Sequence, residues 1–349
     1  MPKQVSYQDQ RDKNNRIKIK EQLSELPYFV SDYIESRTAD TTTLTRLGYV
    51  YDIKNFLFWF SNQIPILKNE PLKKISIHEI RRLNSRDINA YLNDVSLGQV
   101  SDKNNGQASV ARKFAAINSF FDFLYCNDYI SENPCTKAKS PKVSKDLRII
   151  KLAPDETAIL LDAIEFGKAG SFTDKQRKYL DGTRTRDLAI ATLLLGTGIR
   201  VSECVSLDLS DLDFKEYKIH IQRKGGKHQN IAMGDEVITA LQQYLKIRNQ
   251  TTPLPGYENA LFLSLQRKRM CVEAVENMIK KYSKALGFTK NITPHKLRKT
   301  YGTELYAETG DIYLVARALG HNSVNTTKNH YIEADEQSLL DARNKVKLR

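Results

Sequence analysis

Six side chains in the C-terminal half of the sequence have types and settings that could do chemistry together. They are Arg200 just after the turn Gly196-Thr197-Gly198, Lys224 in the run Lys224-Gly225-Gly226-Lys227, His295 and Arg298 three apart, His321 after Leu319-Gly320, and Tyr331. His295 and Arg298 fall on one helical face, because positions i and i+3 are neighbours there. Guanidiniums stay charged at any working pH and grip anionic oxygens in pairs. Imidazoles and amines carry protons, and a phenol becomes a nucleophile once its proton is taken. As types, these are groups that can hold an anion, carry protons and, in the phenol, attack as a nucleophile. Taken singly each has an ordinary explanation: a His-x-x-Arg pair is most often a surface pair, and Tyr331 is one of 17 tyrosines.

The elements around these residues are readable. Leu188 to Leu195 is a buried helix closing at Gly196-Thr197-Gly198, where glycine lets the chain turn sharply before a new helix starts at Arg200. Tyr217 to Gln222 and Gln229 to Met233 read as the strands of a β-hairpin with Lys224 near its tip. From Val272 the pattern is mainly helical, broken at Gly287 to Pro294, Gly310-Asp311 and Gly320 to Asn325. Upstream, Pro154-Asp155-Glu156 opens a helix over Ile159 to Ile164, and a polar loop runs from Gly167 to about Arg186.

The first 140 or so residues look helical. Leu44 to Phe60 carries an amphipathic stripe, and a helix from about Ser109 to Cys126 buries Phe114, Ile117, Phe120, Phe121 and Leu124 as a bundle core, leaving Arg112 and Lys113 exposed where they could touch phosphate. After Asn133-Pro134 come Lys137, Lys139, Pro141, Lys142, Lys145, Arg148 and Lys151, a basic, turn-rich segment that is either a solvated charge run or a linker whose charges face a polyanion. A chain of 349 residues suits two domains: 1–140 helical, 141–151 linker, 152–349 carrying the six residues. The excess of 54 Lys and Arg over 41 Asp and Glu, a net charge of +13, favours nucleic acid as partner ahead of anionic membrane. No apolar run is long enough to span a bilayer and the N-terminus is no signal peptide, so residence in the cytoplasm is expected. Cys126, Cys135, Cys204 and Cys271 have neither disulfide-scaffold nor zinc spacing and are expected to be buried or half-buried apolar residues.

Taken in order, Gly196-Thr197-Gly198-Ile199-Arg200-Val201-Ser202-Glu203, the Lys224 hairpin, Pro294-His295-Lys296-Leu297-Arg298-Lys299-Thr300, Leu319-Gly320-His321 and Tyr331 resemble the tyrosine recombinase (phage integrase) family. Ser109 to Pro134 is similar to the helix and Asn-Pro turn that close the family's core-binding domain, so the likeness spans most of the chain. Lys175 to Arg186 and Arg223-Lys224-Gly225-Gly226 resemble the Xer-type chromosome-dimer resolvases, in the form that works as a single protein. The resemblance implies a mainly α fold with a small β-hairpin or sheet: a helical, SAM-like core-binding domain and an α+β catalytic domain forming a C-shaped clamp on double-stranded DNA.

It also implies roles. Transferring a phosphodiester to a hydroxyl builds negative charge on the non-bridging oxygens, which Arg200 and Arg298 would hold without any metal or other cofactor. Tyr331 would be the nucleophile and His295 its base; Lys224, or its rival Lys227, would protonate the leaving 5′ oxygen. His321 would donate a hydrogen bond to the phosphate. Glu203, one turn from Arg200, would orient that arginine or form a simple surface pair with it. Tyr301, Tyr306 and Tyr313 precede His321 and are expected to pack within helices. Leu339, Leu340, Ala342 and Val346 form an apolar stripe that either folds onto its own domain or is donated to a neighbour in a homo-tetramer.

The expected activity is strand exchange through a 3′-phosphotyrosine, resolving chromosome dimers at a dif-like site during cell division, with a DNA translocase of the FtsK type as a further partner. The alternative is the integrase or excisionase of a mobile element; residues 1–40 look too short and too weakly patterned for the arm-binding domain such integrases often carry. A type IB topoisomerase would lack the C-terminal stripe, and a binding module without catalysis should have lost one of the six residues.

Overall fold

The computed structural model describes residues 7–100, 106–141, 151–167, 179–223, 226 and 228–321. The chain divides into two compact units, Met1–Asp146 and Leu147–Arg349.

The first unit is a helix assembly of α1 (Tyr7–Leu23), α2 (Tyr28–Ser36), α3 (Thr43–Gln63), the short α4 (Ile77–Ile80), α5 (Ser85–Ser96) and α6 (Gln107–Cys126). Helix α3 starts where Thr42 caps it, the hydroxyl accepting the Thr45 N–H at 3.2 Å, and α5 starts at Asn84, whose side chain accepts from Arg86 N–H at 2.8 Å while its own N–H donates to Asp87. The anticipated aromatic stripe of α6 is the core: Ile117, Phe120, Phe121 and Leu124 are fully buried against Phe29, Tyr33 and Phe56, and Phe114 packs at the margin. Residues 7–36 are better organised than their pattern suggests. Ile19, Leu26, Phe29, Val30, Tyr33 and Ile34 belong to this same core, and the Tyr33 hydroxyl bonds to Ser119 at 3.0 Å.

The expected exposure divides here: Arg112 is exposed as foreseen, but Lys113 is buried. Arg112 and Lys113 both turn to Asp52 on α3: Arg112 donates to both of its carboxylate oxygens, and Lys113, itself buried, lies 3.4 Å away. Asp52 is 2% exposed, a charge that must be paired where it sits. Helix α6 therefore spends Lys113 on its own core, while Arg112 reaches Asp52 from the surface with its side chain 57% exposed.

The second unit contains α7 (Pro154–Phe166), α8 (Arg184–Thr197), α9 (Val201–Ser206), β1 (Leu212–Asp213), β2 (Lys218–Gln222), β3 (His228–Ala232), α10 (Asp235–Gln250), α11 (Val272–Ala285), α12 (Pro294–Thr309) and α13 (Ile312–Leu319). Helix α8 buries Ala189, Ile190, Ala191, Leu193, Leu194 and Leu195, apolar all round, so it must be surrounded; α7, α10, α11 and α12 pack against it. Its first turn is tied down by Asp187, 1% exposed, which accepts from Arg186 and from the Tyr282 hydroxyl. The strands form one antiparallel sheet in the order β1-β2-β3, with Lys218 paired to Ala232 and Gln222 to His228. Ile219, Ile221 and Ile231 face inward and His220, Gln222 and Asn230 outward, the period-two alternation that fixes the register. The two-residue β1 was not anticipated; it is too short to leave a pattern. The result is a mainly α architecture with a small antiparallel sheet, as expected.

The cysteines divide. Cys135 and Cys204 are buried, whereas Cys126 at the end of α6 and Cys271 ahead of α11 are exposed, which corrects the uniform burial expected for them. Among the described residues no helix is long and apolar enough to cross a membrane. Burial pushes the Cys135 thiol up to about 12 and raises Cys204 as well. Alkylation of the folded protein at pH 8 is expected to modify Cys126 and Cys271 quickly and Cys135 and Cys204 only after denaturation, as mapped by peptide mass spectrometry; fast labelling of Cys204 would contradict its burial.

Candidate active site

The candidate site is built from the ends of three helices and one hairpin strand of the second unit. Helix α8 ends with Gly198 in the left-handed region (φ +61°), its N–H donating to Leu194 O at 3.1 Å, and two residues later Arg200 opens α9. A Cβ at Gly198 would run into the Tyr301 ring and touch Leu319, so both the backbone sign and the space demand glycine. Glu203 then folds back on the start of its own helix. Its Oε2 accepts the Arg200 N–H at 2.7 Å and its Oε1 accepts from the Arg200 guanidinium at 2.8 Å. Glu203 is 6% exposed while the Arg200 side chain is 41% exposed, so the carboxylate is walled in and the guanidinium opens to solvent. The pair is thus no simple surface pair.

Arg298 on α12 is buried. It donates from one terminal nitrogen to Gly198 O and from the other to Leu319 O, joining the end of α8 to the end of α13. Helix α13 closes with Gly320 in the left-handed region (φ +61°), and the His321 N–H reaches back to Ala316 O at 2.9 Å, which sets His321 half-buried just past the helix end. His295 stands exposed on the first turn of α12, one turn before Arg298. The shared face foreseen for this pair is therefore divided: Arg298 points into the protein and His295 outward.

A residue not singled out from the sequence completes the arrangement. Arg223 follows β2 and is 8% exposed; it donates to Leu319 O at 2.5 Å and to Ala318 O at 3.1 Å and lies 3.8 Å from Glu203 Oε1. Burial lowers its pKa, opposed by the Glu203 carboxylate. The signal was present: inward-facing Ile219 and Ile221 make Arg223 the next inward position of the same alternation. Arg200, Glu203, Arg223, Arg298 and the Leu319–His321 turn are therefore one connected group. Lys224, Lys227, Tyr331 and the Leu339–Val346 stripe lie outside the described residues. Tyr301 and Tyr306 are half-buried, with burial raising the Tyr301 phenol, but Tyr313 is 71% exposed and does not pack as expected.

Comparison with known proteins supplies the family. Residues 171–338 match the model of the phage integrase family. The tyrosine recombinase XerS of Streptococcus thermophilus (strain CNRZ 1066) is 30% identical over 93% of this chain and 97% of its own length. The chain belongs to the tyrosine recombinase (phage integrase) family and is an enzyme of that class, a site-specific recombinase that transfers DNA strands with a tyrosine nucleophile. Its particular likeness is to the Xer members. Among solved structures the fold is similar to that of the XerH site-specific recombinase bound to a palindromic difH substrate, at 20% identity with a TM-score of 0.65 over 98% of this chain and 90% of that one. It is similar as well to the Tn1549 transposon integrase in complex with circular intermediate DNA, at 22% identity with a TM-score of 0.64 over 87% of this chain and 94% of that one.

Removing Glu203 would leave buried Arg223 without its counter-charge. Glu203→Ala is expected to destabilise the second unit by about 3 kcal/mol, lowering its thermal midpoint by roughly 6–12 °C. A midpoint within about 1 °C of the wild type would mean that the carboxylate holds nothing in place.

Proposed function

We propose that this recombinase cuts and rejoins double-stranded DNA at a dif-like chromosomal site, resolving chromosome dimers during cell division. The observation that carries the chemistry is the convergence of Arg200, Glu203 and Arg298 at the ends of α8 and α13, immediately before His321. In this reading Arg200 and Arg298 hold the non-bridging oxygens of the scissile phosphate, and Glu203 keeps Arg200 aimed. The Tyr331 oxygen attacks phosphorus while His295 takes its proton. The bond from phosphorus to the 5′ oxygen breaks, Lys224 protonates that oxygen, and His321 donates a hydrogen bond to the phosphate. The energy of the broken bond remains in a 3′-phosphotyrosine, so a 5′ hydroxyl from the partner duplex can reverse the step without ATP or metal.

The likeness to XerS over nearly the whole chain supports the chromosomal role. The net charge of +13 supports DNA as the partner, and the DNA held by the structural neighbours supports it further. The working form is a homo-tetramer on two duplexes, with the Leu339–Val346 stripe as the element passed between protomers, a translocase of the FtsK type as activator and the cytoplasm as its location.

The test is a nicked suicide duplex carrying candidate chromosomal sites, with a transposon end as comparison and denaturing electrophoresis as readout. Wild type is expected to give a covalent adduct on one chromosomal site and Tyr331→Phe none, despite equal binding. An adduct on the transposon end alone would make the protein a mobile-element integrase instead. Arg200→Ala is expected to slow adduct formation by about 10²–10³-fold while binding changes little. Wild-type binding should fall steeply between 50 and 200 mM salt, as multiple phosphate contacts dictate; a flat salt response would contradict a DNA-binding surface.

A further inference from the structure

Arg223 has a burden that a packing role does not explain. A guanidinium taken almost wholly from water needs strong acceptors, and Arg223 finds three, all belonging to the site: the carbonyls of Ala318 and Leu319 and the Glu203 carboxylate. Each of the last two is shared with a second arginine. Leu319 O also accepts from Arg298, and Glu203 Oε1 also accepts from Arg200. The guanidinium occupies the space beside Gly320, where any Cβ would displace it. Gln229, at the start of β3, donates to Arg317 O at 3.0 Å, so both arms of the hairpin are fastened to the end of α13. The chain that leaves Arg223 enters Lys224 directly, and the chain that leaves Leu319 reaches His321 two residues later.

We propose that Arg223 is a positioning residue that clamps the turn end of β2 to the end of α13, so that Lys224 approaches the leaving-group side of a phosphate held by Arg200 and Arg298. This rests on the assignment of Lys224 as the proton donor. The clamp works through two carbonyls at the negative end of a helix, each met by a different nitrogen of the rigid guanidinium fork, a geometry that the single nitrogen of a lysine does not reproduce.

The experiment uses the full chain, a suicide DNA duplex and the same duplex with sulfur in place of the bridging 5′ oxygen at the scissile phosphate. A thiolate leaves without being protonated, so a defect in proton donation disappears on the sulfur substrate and a defect in phosphate binding does not. Arg223→Met and Arg223→Lys are expected to bind DNA as wild type does and to form adduct about 10²-fold more slowly on the oxygen substrate. On the sulfur substrate both should return to within about tenfold of wild type, as Lys224→Met should, while Arg200→Ala stays slow. Arg223→Lys keeps a buried cation opposite Glu203 and so separates the clamp from loss of folding. If Lys224→Met recovers on sulfur and Arg223→Lys does not, the positioning role is overturned and the assignment of Lys224 stands. If Lys224→Met fails to recover, that assignment falls and the inference falls with it.

Discussion

Three guanidiniums gathered in one small volume repel one another, and burial makes each more costly, unless acceptors stand between them. This structure supplies those acceptors in two ways. One is the single carboxylate of Glu203, which faces both Arg200 and Arg223. The other is the set of carbonyls that a helix leaves without partners at its C-terminal end. Gly198 O closes α8, and Ala318 O and Leu319 O close α13; Arg298 and Arg223 take all three. Positive charge is thereby fixed in place by the backbone before any phosphate arrives, which is the condition for stabilising charge that develops in a transition state.

The two left-handed glycines follow from that arrangement. Gly198 brings the end of α8 close enough for its carbonyl to meet Arg298, with Tyr301 filling the space a side chain would need. Gly320 does the same for α13, and there the space is taken by Arg223 itself. The apolar surround of α8 has a matching purpose: a helix buried on every side cannot slide, so the carbonyl at its end is a fixed reference for the arginines. The Asp187 network anchors the opposite end of the same helix.

Much of this was legible in the sequence, for physical reasons that can be named. The glycine turn before Arg200, the alternating strands around Lys224 and the long periodic helices each leave a local signature, and Arg200, His295 and His321 stand at the boundaries of those elements. Long-range pairing is what local patterns do not carry. Nothing near Arg112 or Lys113 announces that Asp52, some 60 residues earlier, would claim both. The exposure of Cys126 and Cys271 depends on which faces their neighbours leave uncovered, and the burial of Ile19 and Phe29 depends on a core assembled from later helices. Arg223 lies between these cases. The alternation of β2 pointed it inward, but only the carbonyls of α13 explain why an arginine belongs there.

The most direct test of the account is to identify the atom that carries the DNA. A covalent complex formed on a suicide duplex, trimmed with nuclease and digested with trypsin, should yield the peptide of residues 329–343 with a nucleotide on Tyr331, the one tyrosine it contains. That result would place the nucleophile ten residues beyond His321 in the sequence. A nucleotide on Tyr301, Tyr306 or Tyr313 would contradict the account, because those side chains belong to the helices that build the site.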